Sequence, residues 1–247
     1  MPILPIIPRG QTFSSISGAT TGVPGTDYYC TAALDLTLPA AGTAGDRIKV
    51  YRADGGGDVG ILTTGAETVH FRGVDEASDS AQLMLYIDGD YLEFIDNGTQ
   101  WQVWDDGLIP HFCDVTRNAT QPINHDTTTK IAFDNIDKDQ GGIADVSTND
   151  RVDLKRAGWY SFAFSGLMSI DDGEKNQNAL YLNGGLHRLN RTYSSEASGL
   201  GYVLASGCGY FSAGDYLELF IYHTQGAQQD TKTTEHGKQR LMISEVR

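Results

Sequence analysis

Short runs of alternating apolar residues, each cut off by a tight-turn signal, constrain this chain more than any other feature. "YYCTAALDLTLP" puts Leu34, Leu36 and Leu38 on one face before Pro39 ends it. "RIKVYRA" does the same with Ile48 and Val50. "YLEFI" turns at "DNGT" into "WQVW", and Asn97-Gly98 is the strongest hairpin signal in the chain. No amphipathic helix longer than two turns stands out. The 29 glycines and the scattered Asn, Asp, Ser and Thr supply the turns, and 40% hydrophobic content is enough for a core. The expectation is an all-β protein.

One strand sets a further condition. In "RAGWYSFAFSG", residues 156–166, side chains alternate between two faces. Tyr160, Phe162 and Phe164 share one face, and Trp159, Ser161, Ala163 and Ser165 share the other. The second face carries mostly small residues and no charge, where a half-wet strand carries Lys, Glu or Thr. Something other than water is expected to cover both sides. A second sheet layer, a neighbouring loop or another subunit meets that condition equally.

Four segments follow from composition and rhythm. Residues 1–26 read as an extended arm and linker: "MPILPIIPRG" has proline at every third position, then "GQTFSSISGATTGVPGT" is rich in Gly, Ser and Thr. The arm is too short and too broken by proline for a signal peptide. Its Ile3, Leu4, Ile6 and Ile7 are candidates for docking on a partner. Residues 27–106 read as a small antiparallel β domain. Residues 107–126 have little periodicity and read as a connector, with room for a short strand at His111 to Val115. Residues 127–247 hold eight to ten strand-like runs, the count of a jelly-roll β-sandwich. Net charge supports the division: residues 1–126 carry 6 basic and 17 acidic side chains, residues 127–247 carry 12 and 15.

The overall charge of −14 argues against nucleic acid and against an anionic membrane surface as partners. No apolar run reaches membrane-spanning length. Cys30, Cys113 and Cys208 are odd in number and suit neither a zinc site nor a redox pair, so reduced thiols are expected. None of the six histidines forms a metal-binding pair. Asp137, Asp139 and Gly141 match part of a calcium loop but lack the distant Glu, and Asp171, Asp172 and Glu174 are similar. "DNGTQW" resembles a single sialidase Asp-box and reads as a hairpin with Trp101 in the core. No catalytic constellation, cofactor site or metal site is expected.

The second module resembles the globular heads of complement component one-q and the tumour-necrosis-factor-like jelly rolls. The matching pieces come in order: "KIAFDNI", then "GGIADVSTNDRVDLKRAGWYSFAFSG", "LYLNGG", "SAGDYLELFI" and "KQRLMISEV". "AGWYSF" is similar to the family's Pro-Gly-Tyr-Tyr-x-Phe, with Ala157 in place of proline; the usual Phe-x-Gly near the end is missing. The first module resembles a small β domain of bacteriophage tail fibres and head appendages, through "LDLTLPAAGTAGDRIKV" and "IDNGTQWQVW". The first resemblance implies a homotrimer whose three-fold axis faces the sheet containing residues 156–166. Trp159, Ser161, Ala163 and Ser165 are then trimer-interface candidates.

Together the resemblances imply a structural protein of a tailed-phage virion, assembled in the bacterial host cytoplasm. The favoured role is a trimeric capsid decoration protein or short head fibre, partnered by the major capsid protein or another virion protein. The alternative is a tail-fibre tip that recognises a host-surface glycan or protein, with His187, Arg191 and Tyr193 as ligand-loop candidates. A carbohydrate-active enzyme is the remote alternative.

Overall fold

The structure is a computed structural model that describes residues 12–77, 80, 83–171, 173–193, 199–233 and 237–246. The arm candidates Ile3, Leu4, Ile6 and Ile7 lie outside the described residues. No α-helix occurs among the described residues, and the chain is all-β. It separates into two units, Met1–Ile109 and Pro110–Arg247.

The first unit contains β1 (Thr12–Ile16), β2 (Thr20–Thr21), β3 (Thr26–Cys30), β4 (Leu34–Thr37), β5 (Arg47–Arg52), β6 (Val59–Leu62), β7 (Val69–Phe71), β8 (Val74–Glu76), β9 (Tyr91–Asp96) and β10 (Trp101–Asp106). From β1 to β6 the chain alternates between two sheets. β1, β3 and β5 stack in parallel in one, and β2, β4 and β6 stack in parallel in the other. Tyr28 lies beside Val50 and Leu36 beside Ile61, so buried faces stack in register. This is a coil of three turns. Antiparallel pairing begins only when β9 pairs with β5, β10 with β9, and β8 with β7.

The expected antiparallel domain is therefore corrected to a parallel coil completed by antiparallel strands. Period-two alternation is the same for both kinds of ladder. The run "YYCTAALDLTLP", expected as one strand, divides into β3 and β4, and the three residues between them carry the chain across to the other sheet. Turns of the coil touch closely: a Cβ on Gly57 would lie 2.3 Å from the Ala33 Cβ. The expected linker is also corrected, because β1 and β2 are the first turn of the coil. Its Ser and Thr residues suit an edge strand with exposed or half-buried side chains.

Two sequence motifs act structurally here. The Asp96 carboxylate accepts N–H bonds from Gly42, Thr43 and Gly98. Burial pushes this acid up, but the backbone donors outweigh it and hold it below the usual carboxylate range. Trp101 is buried, and its Nε1 donates to the Pro39 carbonyl at 2.7 Å.

The second unit contains β11 (Phe112–Arg117), β12 (Pro122–Ile123), β13 (Thr129–Lys130), β14 (Asn135–Gln140), β15 (Ala144–Asp145), β16 (Arg151–Asp153), β17 (Gly158–Ile170), β18 (Lys175–Leu182), β19 (Gly185–Tyr193), β20 (Gly199–Phe211), β21 (Tyr216–His223), β22 (Gln229–Asp230) and β23 (Gln239–Val246). One sheet has the order β14-β11-β23-β17-β20, the other β15-β16-β21-β18-β19, with β13 also paired to β21. The chain changes sheets repeatedly, which makes a jelly-roll sandwich. Tyr160, Phe162, Phe164, Met168 and Ile170 from β17 meet Leu180, Leu217, Leu219 and Ile221 of the opposite sheet in one core.

The expected connector at 107–126 is corrected in part: the short strand it had room for at His111 to Val115 is present as β11. β11 is an interior strand, paired with β14 on one side and β23 on the other. It lacks a clear apolar rhythm because Asp114 and Thr116 are buried polar residues. The run "TTKIAFDNI", 128–136, expected as one strand, divides into β13 and β14, and β14 extends through "DKDQ".

The coil's core makes a measurable prediction. Trp101→Ala should lower the stability of the first unit by about 3–5 kcal/mol, and Trp101→Phe by about 1–2 kcal/mol through the lost bond to Pro39. Hydrogen exchange at the Ile48 and Val50 amides reads both effects.

Candidate functional site: an uncovered sheet face

The five-stranded sheet presents one face to the core and leaves the other open. The alternation in β17 places Tyr160 and Phe164 inside while Trp159 remains 56% exposed. Ser161 is exposed, and Ala163 and Ser165 are half-buried, on the same side. The expected pairing of Trp159, Ser161, Ala163 and Ser165 on one face is thus present. Among the described residues, no further strand layer covers this side of the sheet.

Register shows what surrounds them. Trp159 is flanked by Tyr210 on β20 and Val246 on β23. Its ring meets Tyr210 edge-on at 6.2 Å. Both flanking residues are more than half exposed. In the next row Ser161 lies between Cys208 and Ser244, and Ser244 pairs with Phe112. The row after that sets Ala163 between Ser206 and Met242. Ser165 then lies between the exposed Leu204 and Arg240. Large apolar side chains therefore bound a trough of small ones. The depression is about 460 Å³ and includes Ser161, Ala163, Ser206, Cys208, Met242 and Ser244 in its lining.

A single ion pair interrupts this surface among the rows just described. Arg240 donates to Asp114 through Nε at 2.8 Å and through a second, shorter Nη2 contact. The bond to Asp114 raises the Arg240 guanidinium, against a smaller opposing effect of burial. Asp114 is buried and Arg240 is about half exposed. The pair is fixed in place by β-register rather than free to swing, since Asp114 sits opposite Met242, two residues from Arg240.

Further exposed leucines lie at the open edge of the sandwich. β19 ends one sheet and β20 ends the other. Leu186 is 57% exposed there, and Leu189 and Leu204 are also exposed. A depression of about 360 Å³ between Arg188, Asn190, Leu204 and Ser206 marks this edge.

The ligand-loop candidates do not form a loop. His187, Arg191 and Tyr193 all belong to β19. The His187 ring packs against Phe162 and Phe211 at 5.8 and 5.4 Å, turned toward the core. Burial pushes this imidazole down, helped by the Arg188 charge. Arg191 is exposed and hydrogen-bonds Gln177 on β18. The Tyr193 side chain lies outside the described residues. Sequence reading missed this strand because an edge strand tolerates the polar pattern of "LHRLNRTY".

Other motifs resolve into structure. Asp139, from the partial calcium loop, accepts the Ile143 and Ala144 N–H groups, and Asp137 binds Thr116 and Asn135. Among the described residues, no group of three or more His, Cys, Asp or Glu is placed to hold a metal ion. The three cysteines are free; Cys30 and Cys113 are buried and Cys208 is exposed. Burial pushes the Cys30 thiol up to about 12, and raises Cys113 with help from Asp139 and Asp114. No helix among the described residues is long and apolar enough to cross a membrane.

No protein-family model and no curated protein matches this sequence. Among solved structures, murine APRIL at pH 8.5 is similar over 56% of this chain and 100% of its own, at 15% identity and a TM-score of 0.42. Murine APRIL at pH 5.0 gives the same values. The globular domain of zebrafish complement 1qA is similar over 54% of this chain and 94% of its own, at 14% identity and a TM-score of 0.40. The sandwich is defined by its own strand order.

The Asp114–Arg240 pair yields a prediction. Arg240→Met leaves a buried carboxylate without its cation and should destabilise the second unit by roughly 1–3 kcal/mol. Adding Asp114→Asn should recover most of that loss, as a double-mutant cycle followed by urea unfolding will show.

Proposed function

We propose that this chain is a homotrimeric structural protein of a tailed-bacteriophage virion, acting as a capsid decoration protein or short head fibre. The observation that carries the trimer is the uncovered face of the five-stranded sheet. Trp159, Tyr202, Leu204, Tyr210 and Val246 are all 46% exposed or more, and share this face around a trough of small side chains. A contiguous apolar patch of this kind marks an interaction surface.

A closed ring needs two different complementary patches on each subunit, because a cyclic trimer contact is heterologous. The second unit offers two: the trough on the sheet face, and the exposed Leu186 and Leu189 of the edge strand β19. Seating the edge of one copy on the face of the next covers both at once. This satisfies the condition that the small residues of β17 imposed, and closure leaves no free patch for open-ended growth.

The virion assignment rests on the resemblance of "LDLTLPAAGTAGDRIKV" and "IDNGTQWQVW" to phage appendage domains. A coil of parallel turns suits an appendage, since each turn packs mainly on its neighbours. The apolar arm at residues 1–10 then ties the protein to the shell, and binding only the assembled shell stabilises it by mass action.

Two experiments test this reading. Light scattering at micromolar concentration should give three times the chain mass of 26.8 kDa. Ala163→Glu should reduce that to one, and should turn Cys208 from slow to fast in its reaction with a thiol reagent. A wild-type monomer overturns the trimer. Removing residues 1–10 should abolish occupancy on purified capsids while leaving the trimer intact; unchanged occupancy contradicts the decoration role.

A further inference from the structure

Two histidines of the second unit hold one turn by an arrangement that only neutral imidazoles can make. His223, at the end of β21, is fully buried. Its Nε2 lies 2.9 Å from the Ile123 carbonyl, which can only accept, so Nε2 carries the hydrogen. Its Nδ1 accepts the Gln225 N–H at 3.1 Å. The next backbone N–H, that of Gly226, donates to Nδ1 of the exposed His125 at 3.0 Å. The two rings are 6.5 Å apart. Consecutive amides of one turn thus end on two imidazole nitrogens, and Gly226 supplies the positive φ (79°) that the turn requires.

This turn is also a junction. The Gln225 side chain exchanges two hydrogen bonds with Asp171, at the end of β17. Thr224 accepts the Lys175 N–H at 2.9 Å and donates to Glu174. Tyr222 binds Asp126, and Lys175 lies over the Tyr222 ring at 4.2 Å. The ionisable groups around the pair are Asp126 beside His125, Asp171 and Glu174 between β17 and β18, Lys175 on β18, Arg191 on β19, Tyr222 on β21 and Asp230 on β22.

We propose that His125 and His223 form an acid-sensitive latch that holds the turn at residues 224–227 against residues 123–125 and releases it when the imidazoles take up protons. A proton on Nδ1 converts an acceptor into a donor that faces the amide N–H. The Gln225 and Gly226 amides lose their partners, and the link to Asp171 loosens with them. Imidazole is the side chain whose ordinary titration falls in the mildly acidic range, and the geometry here uses both imidazoles as acceptors. The end of the sandwich at Ile170 and His223 opens, while the opposite end, at Trp159, is unaffected. The latch is independent of the virion assignment.

Hydrogen exchange on the full chain, corrected for intrinsic rates, tests it. Between pH 7.5 and pH 5.0 the protection of the Gln225 and Gly226 amides should fall about tenfold, while the β17 and β21 amides at Phe162 and Leu219 keep theirs. His125→Asn retains an acceptor oxygen without titrating, and should remove most of the pH dependence at Gly226. Nitrogen chemical shifts at pH 7.5 should show His223 neutral with its hydrogen on Nε2. Equal protection of the turn at both pH values, loss shared with Phe162 and Leu219, unchanged pH dependence in His125→Asn, or a hydrogen on His223 Nδ1 overturns the proposal.

Discussion

The second unit depends on β17 having to satisfy two surfaces at once. Its inward side chains, Tyr160, Phe162, Phe164, Met168 and Ile170, form a large part of one core. Burial of each such side chain is worth about 1.5–3 kcal/mol, so the strand's position in the sandwich is firmly fixed. Register then leaves no freedom on the reverse side. A slip of one residue would send the aromatic set outward. Trp159, Ser161, Ala163 and Ser165 are held in rows with β20 and β23 as a consequence of the core, and their uncovered face is what the rest of the functional account uses.

That face combines breadth with shallow relief. Small side chains at Ser161, Ala163, Ser206 and Ser244 let another backbone come close, and the bulky residues at either end offer anchors. Interfaces generally concentrate their energy in a few such aromatic anchors within a depleted-charge centre. Asp114 and Arg240, in the adjacent rows, already satisfy each other. A partner need not supply a counter-charge, and an apolar surface of the same chain suffices.

What the sequence made legible was whatever period two encodes. It indicated the all-β class, the two-faced character of residues 156–166, and the burial of Leu34, Leu36, Ile48 and Trp101. It did not disclose the direction of neighbouring strands, because parallel and antiparallel partners ask the same alternation of a strand. "YYCTAALDLTLP" therefore read as one alternating run, when residues 31–33 within it are a passage between sheets. It allowed only a short strand at His111 to Val115 where β11 is an interior strand, because its buried Asp114 is explained by Arg240, 126 positions later in the chain. His187 resembled a loop residue because an edge strand can be polar; its packing on Phe162 and Phe211 depends on contacts no local window contains.

The claim with most resting on it is that the open face of β17 is dry in the native assembly. Hydroxyl-radical footprinting of the full chain at micromolar concentration measures this directly at Trp159 and Tyr210. The account predicts that both rings oxidise far more slowly than the exposed Trp104 of the first unit, which is 71% accessible. Oxidation of Trp159 as fast as Trp104 would mean that water reaches the face, and would contradict the trimer and the role built on it.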